Sequence, residues 1–225
     1  MPFDLFTRHD GFEALRLLLA AASLIVACGY MAIEAQPANG LRTTFKTFSI
    51  LLLAPLPLFL LSTGPEWTLL ALSLALVCGS AGDYFLALKG EAVNFKRGII
   101  AFLIGHLFYL AVMLPRLVMP TPLQMAGMVL LAIMAIGVCW HLSPKLGAYK
   151  KPIWAYMGVI ALMALAALAM PSPLTGVGAL LFVFSDAVIV MHQFGRPVPY
   201  RGPIVWVTYY AGQVLLAGSL LTLLG

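Results

Sequence analysis

The sequence predicts an all-α membrane protein in which eight helices cross the bilayer. Of its 225 residues, 62% are hydrophobic and only 9% are charged, whereas soluble domains carry about 25% charged residues. The mean hydropathy is +1.01, and several stretches reach the roughly 20 apolar residues that a spanning helix needs. The connections are too short to bury a core of their own. We therefore expect a single eight-helix transmembrane domain over residues 1–225.

Eight apolar segments follow one another along the chain, with ends defined to within about three residues. They are Phe12–Ile33, Thr43–Leu61, Glu66–Leu88, Gly98–Leu117, Pro122–Leu142, Pro152–Met170, Pro173–Phe194 and Pro203–Leu224. The last four segments begin with proline, which is tolerated in the first turn of a helix. The second segment contains Pro55 and Pro57, so we expect it to kink or break midway.

Composition also excludes several classes of protein. Acids outnumber bases before the first segment, unlike in a secretory signal, so we expect this segment to be an uncleaved helix. Cys28, Cys78 and Cys139 lie inside apolar segments without paired spacing, which is typical of small buried residues rather than of disulfides. The net charge of +5 comes from bases scattered through short loops, so we expect no nucleic-acid partner.

Lysine and arginine are distributed unevenly between the two ends of the predicted helices. The side that includes the N-terminus holds Arg8, Arg16 and Arg116. The opposite side holds Arg42, Lys46, Lys89, Lys96, Arg97, Lys145, Lys150, Lys151, Arg196 and Arg201. This bias predicts a multi-pass protein of the cell (inner) membrane, with odd-numbered connections in the cytoplasm and both termini outside.

Two of the eight acidic residues lie well inside apolar segments, whereas the other six lie in tails, in connections or at a segment edge. The two are Asp83, in the sequence CGSAGDYFLAL, and Asp186, in the sequence GVGALLFVFSDAVIVMHQF. An ionisable side chain is costly in the bilayer and by default marks a functional site. A structural pair that only holds helices together is the alternative interpretation.

Other polar residues are predicted at a similar depth. Counted from the cytoplasmic ends of their segments, Asp83, His106, Tyr156, Asp186 and Tyr209 lie about four to eight residues in, or roughly 6–12 Å below one membrane face. Polar groups from five helices at one level predict a cavity that opens to the cytoplasmic leaflet.

Spacing within the helices supports this cavity. Residues that share a helix face are Gly98, Phe102, His106 and Tyr109; Trp206, Tyr209 and Gln213; and Gly79, Gly82 and Asp83. Small residues beside Asp83 allow a neighbouring helix to approach. Asp83 and Asp186 are 103 residues apart, and Lys46 and Lys150 are 104 apart, which indicates two four-helix pseudo-repeats.

Several of these elements, taken in order, resemble the YhhN-like, or lysoplasmalogenase, family of integral membrane proteins. They are Lys46 at the start of the second segment, Gly82-Asp83, GIIAFLIGHLFY at 98–109, Tyr156, GALLFVFSD at 178–186 and YYAGQ at 209–213. The chain departs from the family pattern at Thr47, where proline is usual, and at Gly212, where alanine is common. Neither departure changes an acid.

The resemblance implies an eight-helix fold and hydrolysis of the vinyl ether bond of lysoplasmalogens, which are lysophospholipids. The products would be a fatty aldehyde and glycerophosphoethanolamine or glycerophosphocholine. Vinyl ether hydrolysis needs a protonated carboxyl and a carboxylate, as glycoside hydrolysis does. Asp83 and Asp186 would be catalytic, with the assignment of acid and base left open. No cofactor is implied, because His9, His141 and His192 lie near membrane edges without metal-ligand spacing.

The remaining site residues are expected to bind the substrate. The candidates for positioning donors are His106, Tyr109, Tyr156, Ser185, Tyr209 and Gln213. The single alkenyl tail would lie among apolar side chains such as Phe102, Phe182 and Trp206. The phosphate would remain near the basic rim, where Lys46, Arg97 and Arg201 are candidates. All three could instead only set the orientation, and this interpretation is favoured for the two arginines.

Three other functions compete with the hydrolase. A proton-coupled small-molecule transporter would use the same aspartates, but it should show polar residues continuing toward the opposite face, and the outer halves of the segments are almost wholly apolar. An intramembrane aspartyl protease would carry YD, GxGD and PAL signatures, which the sequence lacks. A purely structural membrane protein is the third alternative.

Overall fold

The computed structural model describes residues 11–88 and 91–224, without the side chains of residues 91 and 92. Eight helices within these ranges are long and apolar enough to cross a membrane, and the described elements are all helical. The chain is therefore an all-α, multi-pass membrane protein, as the sequence predicted. Arg8, His9 and Lys89, which entered the sequence predictions, lie outside the described residues.

The helices alternate with short connections along the chain. They are α1 (Glu13–Ile33), α2 (Gly40–Leu51), α3 (Glu66–Ala87), α4 (Glu91–Met113), α5 (Pro122–Leu142), α6 (Lys150–Leu168), α7 (Pro173–Val190) and α8 (Arg201–Leu224). A π-helical turn, Met191–Gly195, continues α7.

One predicted boundary is wrong. Helix α4 begins at Glu91, seven residues before the predicted start at Gly98. Residues 91–97 are mostly polar, so an apolar criterion leaves them out. Helix formation depends on backbone hydrogen bonds and local propensity, and it continues past the end of the apolar stretch.

The predicted break in the second segment is confirmed. Helix α2 ends at Leu51, and a 3₁₀ turn follows at Leu56–Leu60. The Leu58 amide donates to the carbonyl of Pro55 at 3.0 Å, instead of to Ala54 as an α-helix would require. The Ser73 hydroxyl on α3 donates to the Ala54 carbonyl at 2.7 Å. A side chain thus satisfies the carbonyl that the break exposes, which a chain in lipid requires.

The chain forms two compact units. The first consists of Met1–Val112 with Ala217–Gly225, and the second of Met113–Leu216. In the first unit α1 packs on α2 and α2 packs on α3, and in the second unit α5 packs on α6 and α6 packs on α7. The first boundary falls at the end of α4, where the predicted pseudo-repeat divides the chain.

The exposed apolar side chains are typical of a surface that faces lipid. Large side chains on α5, including Leu123, Ile136 and Trp140, are exposed. Only 11% of the α5 span is buried inside the protein, against 56% for α3. The polar residues that the sequence singled out lie instead on the more buried helices.

Candidate functional site

Asp83 is buried in the first unit and pairs with a lysine. Its Oδ1 atom lies 3.3 Å from Nζ of Lys46 on α2, and the two side chains are 2% and 13% exposed. A carboxylate withdrawn from water needs a compensating charge close by. The ammonium of Lys46 supplies that charge from the helix that precedes α3.

Serine side chains hold α2 against its neighbours around Lys46. Ser80 of α3 donates to the Thr47 carbonyl at 2.9 Å, and Ser23 of α1 donates to the Ser49 carbonyl. Because each bond ends on the backbone of α2, the bonds fix the height of α2 relative to α1 and α3. The position of the Lys46 ammonium beside Asp83 is therefore determined by helix packing.

The sequence analysis named Lys46 as one candidate phosphate ligand and did not anticipate its ion pair with Asp83. The signal for this ion pair was available, because Lys46 lies inside the second predicted segment while most basic residues lie in connections. A buried acid and a nearly buried base at the same predicted end of adjacent segments are natural partners.

Helices α3 and α4 cross closely beside Asp83. A Cβ atom added to Gly82 would lie 2.6 Å from the ring of Phe102, and one added to Gly105 would lie 3.1 Å from the Ala75 carbonyl. These contacts set an antiparallel register in which Phe102 lies level with Gly82. Small residues are what permits this approach, as the sequence predicted.

His106 lies on α4 about one turn deeper than Asp83, because it follows Phe102 by four residues. Counted from the observed start of α4 it is fifteen residues in, but the extra residues precede the apolar stretch, so its predicted depth of about eight residues in that stretch stays a prediction. Its Nδ1 atom bonds the Phe102 carbonyl. A carbonyl only accepts, so Nδ1 carries the proton, and Nε2 of a neutral ring is an acceptor. Tyr109, one turn further along the same face, is also buried.

Asp186 is buried in the second unit and pairs with a tyrosine. The Tyr156 hydroxyl on α6 donates to Oδ2 of Asp186 on α7. Tyr156 and Asp186 are 4% and 6% exposed. Ser185 is buried as well, and its hydroxyl donates to the Phe182 carbonyl at 2.8 Å. The Ser185 proton is therefore engaged by its own helix, which leaves the hydroxyl oxygen as an acceptor.

The backbones of α7 and α8 approach each other more closely than those of α3 and α4. A Cβ atom on Gly178 would lie 2.6 Å from the Leu216 nitrogen, and one on Gly212 would lie 2.9 Å from the Gly178 carbonyl. The close approach brings Tyr209 of α8 against Phe182 of α7, with ring centroids 5.2 Å apart.

Two of the predicted positioning donors contact each other on α8. The side-chain amide of Gln213 donates to the Tyr209 hydroxyl at 3.4 Å, and both residues are buried. They are one turn apart on the face that meets α7. The sequence placed them on one helical stripe, and the structure brings them together.

Both units repeat one local arrangement. Each acid takes its polar partner from the preceding helix, and each acid-bearing helix crosses the next one through glycines. The partners differ, however: an ammonium faces Asp83 and a phenol faces Asp186. Lys150, the repeat counterpart of Lys46, is exposed and stacks over Trp154 at 5.6 Å. Two carboxyl groups with different partners are suited to different roles.

The chemistry available at these positions is that of carboxyl, ammonium, imidazole and phenol groups. In the part of the chain that the structure describes, no group of three or more His, Cys, Asp or Glu side chains is placed to hold a metal ion.

A family model and several curated proteins match this chain. The YhhN family model matches residues 41–220, a range that contains both acids and their partners. Lysoplasmalogenase TMEM86B of Sus scrofa is 38% identical over 151 residues, 64% of this chain and 61% of that protein. Lysoplasmalogenase TMEM86B of Rattus norvegicus is 32% identical over 209 residues, 89% of this chain and 83% of that protein.

A bacterial relative, the lysoplasmalogenase of Mycobacterium bovis, is 28% identical over 151 residues, which are 64% of this chain and 58% of that protein. The match thus spans about three fifths of the length of the Sus scrofa and Mycobacterium bovis proteins. No solved structure matched the chain significantly.

Proposed function

The chain belongs to the YhhN family, and on that premise we propose that it hydrolyses the vinyl ether bond of lysoplasmalogens. The substrate would be an alkenyl-glycerophosphoethanolamine or -glycerophosphocholine, and the products a fatty aldehyde and the corresponding glycerophosphodiester. Two findings support the proposal: the curated relatives are named lysoplasmalogenases, and two membrane helices bury carboxyl groups.

The reaction requires a proton donor and a group that tolerates positive charge. A carboxyl group transfers its proton to the carbon of the double bond that is remote from the ether oxygen, and the π electrons form the new C–H bond. The resulting oxocarbenium ion shares its charge between the adjacent carbon and the ether oxygen. Water adds to that carbon and returns a proton to carboxylate, and the hemiacetal then separates into aldehyde and alcohol.

We assign this acid–base chemistry to Asp83 and Asp186. The ammonium of Lys46 compensates a negative charge on Asp83, which suits a carboxylate that stabilises the cation or activates water. Asp186 faces the neutral phenol of Tyr156, so it can carry a proton without burying a net charge, which suits the acid. The observation that carries the assignment is that the two buried carboxyl groups face different polar groups, the ammonium of Lys46 at Asp83 and the phenol of Tyr156 at Asp186.

The other predicted residues take supporting roles in this proposal. Lys46 and Tyr156 position the two carboxyl groups, and His106 offers Nε2 as an acceptor for water or for a substrate hydroxyl. The head group stays near the basic ends of the helices, which the charge bias assigns to the cytoplasmic side of the inner membrane. Arg97 is one candidate phosphate ligand there, and its guanidinium lies 5.9 Å from the ring of Phe85.

Turnover by purified protein tests the proposal. Detergent-solubilised protein should release a long-chain aldehyde from a lysoplasmalogen, and the saturated alkyl-ether analogue should bind without reacting, because it has no double bond to protonate. Asp83→Asn and Asp186→Asn should each lower turnover by about 10²–10⁴-fold. Glu66→Gln, which changes an exposed acid at the start of α3, is the matched control and should leave turnover unchanged.

A transporter is the second candidate, and two observations favour it. Helix α2 is interrupted within the apolar span, as helices around the binding sites of secondary transporters are. A buried ion pair also lies on α2 and its neighbour, and intramembrane charges occur along ion pathways. Solute uptake in proteoliposomes without any aldehyde would refute the hydrolase and support the transporter. Aldehyde release that survives loss of both carboxyl groups would place the chemistry elsewhere.

A further inference from the structure

Four aromatic side chains form a continuous cluster at the α7–α8 crossing. The ring centroids of Phe182 and Tyr209 are 5.2 Å apart, those of Trp206 and Tyr209 are 5.9 Å apart, and those of Trp206 and Tyr210 are 6.0 Å apart. Phe182, Trp206 and Tyr209 are buried. We call these four residues the ring cluster.

The ring cluster lies at the level of Asp186. Phe182 precedes Asp186 by one turn, so their side chains share a face of α7. A Cβ atom on Gly212 would lie 3.1 Å from the Phe182 nitrogen, which sets the register of the two antiparallel helices. Each step back along α8 from Gly212 corresponds to a step forward along α7 from Phe182. Trp206 and Tyr210 therefore lie within about one turn of the level of Asp186.

This position matters because the proposed reaction passes through a cation. An oxocarbenium ion is costly in an apolar environment, where water cannot solvate it. The face of an aromatic ring attracts a cation that lies within about 6 Å of its centroid, most strongly for tryptophan and in the absence of water. A group placed to stabilise charge that appears only in the transition state raises kcat.

We propose, on the basis of the proposed vinyl ether hydrolysis, that the ring cluster stabilises the oxocarbenium ion formed when the substrate is protonated, with Trp206 and Tyr209 as its catalytic residues. The proton leaves a carboxyl group for the remote vinyl carbon, and the positive charge develops on the carbon bonded to oxygen, over the ring faces. The charge disappears when water adds and its proton passes to the carboxylate.

The alternative is that the rings only line the channel for the alkenyl tail, as the sequence suggested for Phe182 and Trp206. A tail is neutral, and the leucine and valine side chains that are abundant along α7 and α8 would bury it equally well. Aromatic residues concentrated at the level of the carboxyl group, where the reacting bond must lie, favour the cation. The two roles differ in kinetics, because losing tail binding raises KM whereas losing cation stabilisation lowers kcat.

Fluorinated tryptophans at position 206 separate the two roles. Site-specific incorporation of tryptophan with one to four ring fluorines withdraws electrons from the ring face step by step, with little change in shape. We expect kcat to fall progressively, by roughly ten- to thirty-fold across the series, with KM unchanged. The same series at Trp67, which is exposed in the first unit, is the matched control and should give constant kcat. Thermal unfolding confirms that the variants stay folded.

A second measurement uses a lysolipid analogue with an ammonium nitrogen in place of the charge-bearing carbon. Its inhibition should weaken along the Trp206 series, while inhibition by the neutral alkyl ether should stay constant. A constant kcat, or a rise in KM alone, with aldehyde still formed would overturn the role of the ring cluster and leave the hydrolase in place. Absence of aldehyde from the unmodified protein would instead refute the proposed function.

Discussion

Removal of the Lys46 ammonium should destabilise the protein strongly, because it leaves the Asp83 carboxylate buried without its counter-charge. Lys46→Met keeps a flexible side chain of similar length. Asp83 is 2% exposed and its oxygen lies 3.3 Å from Nζ, so water cannot replace the ammonium without a rearrangement of α2 and α3. Breaking a buried ion pair by removing one partner costs about 3–5 kcal/mol.

The double variant Lys46→Met/Asp83→Asn makes the test specific for the ion pair. It removes both charges, so the uncompensated carboxylate no longer exists and most of the lost stability should return. The free energies of unfolding of the two single variants and the double variant, measured by denaturant titration in detergent, form a double-mutant cycle. We expect a coupling of about 2 kcal/mol or more between Lys46 and Asp83.

Lys96→Met provides the matched control for this cycle. Lys96 is exposed on α4, and a change there should alter the free energy of unfolding by less than about 0.5 kcal/mol. If the losses of the two single variants simply add in the double variant, the ion pair contributes no coupling. That outcome would refute the role of Lys46 as the partner that holds Asp83.

Two further predictions concern packing and orientation. Gly178→Ala places a Cβ atom 2.6 Å from the Leu216 backbone nitrogen, so α7 and α8 must separate by almost 1 Å. Turnover should fall by up to about 10²-fold, and the free energy of unfolding should fall by about 1–3 kcal/mol. Gly137→Ala is the control and should be neutral, because a Cβ atom there would meet nothing within 4 Å. Equal effects of the two substitutions would contradict the tight crossing. Orientation can be tested with a membrane-impermeant maleimide applied to intact cells that express a cysteine-free background. The reagent should label Met119→Cys, in an even-numbered connection, but not Pro199→Cys, in an odd-numbered one. The reverse pattern would overturn the assignment of both termini to the outside.

Local physics explains which features of the fold the sequence predicted correctly. The apolar spans follow from composition, because only long apolar helices satisfy the backbone in lipid. The break of α2 follows from Pro55 and Pro57, since proline removes a donor and clashes with the preceding turn. The start of α4 was wrong for a related reason: hydropathy marks where the bilayer is crossed, and the helix extends past that boundary.

The sequence by itself determined that Asp83 and Asp186 are intramembrane carboxyl groups and that small residues flank them, because both properties are read from residue type and position along one helix. Only the tertiary structure decided which side chain faces each acid. Lys46 pairs with Asp83 and Tyr156 pairs with Asp186 because the helices meet at particular rotations and heights. Those rotations and heights depend on backbone contacts at glycines and on serine bonds to neighbouring carbonyls, and such contacts join residues that are far apart in the chain.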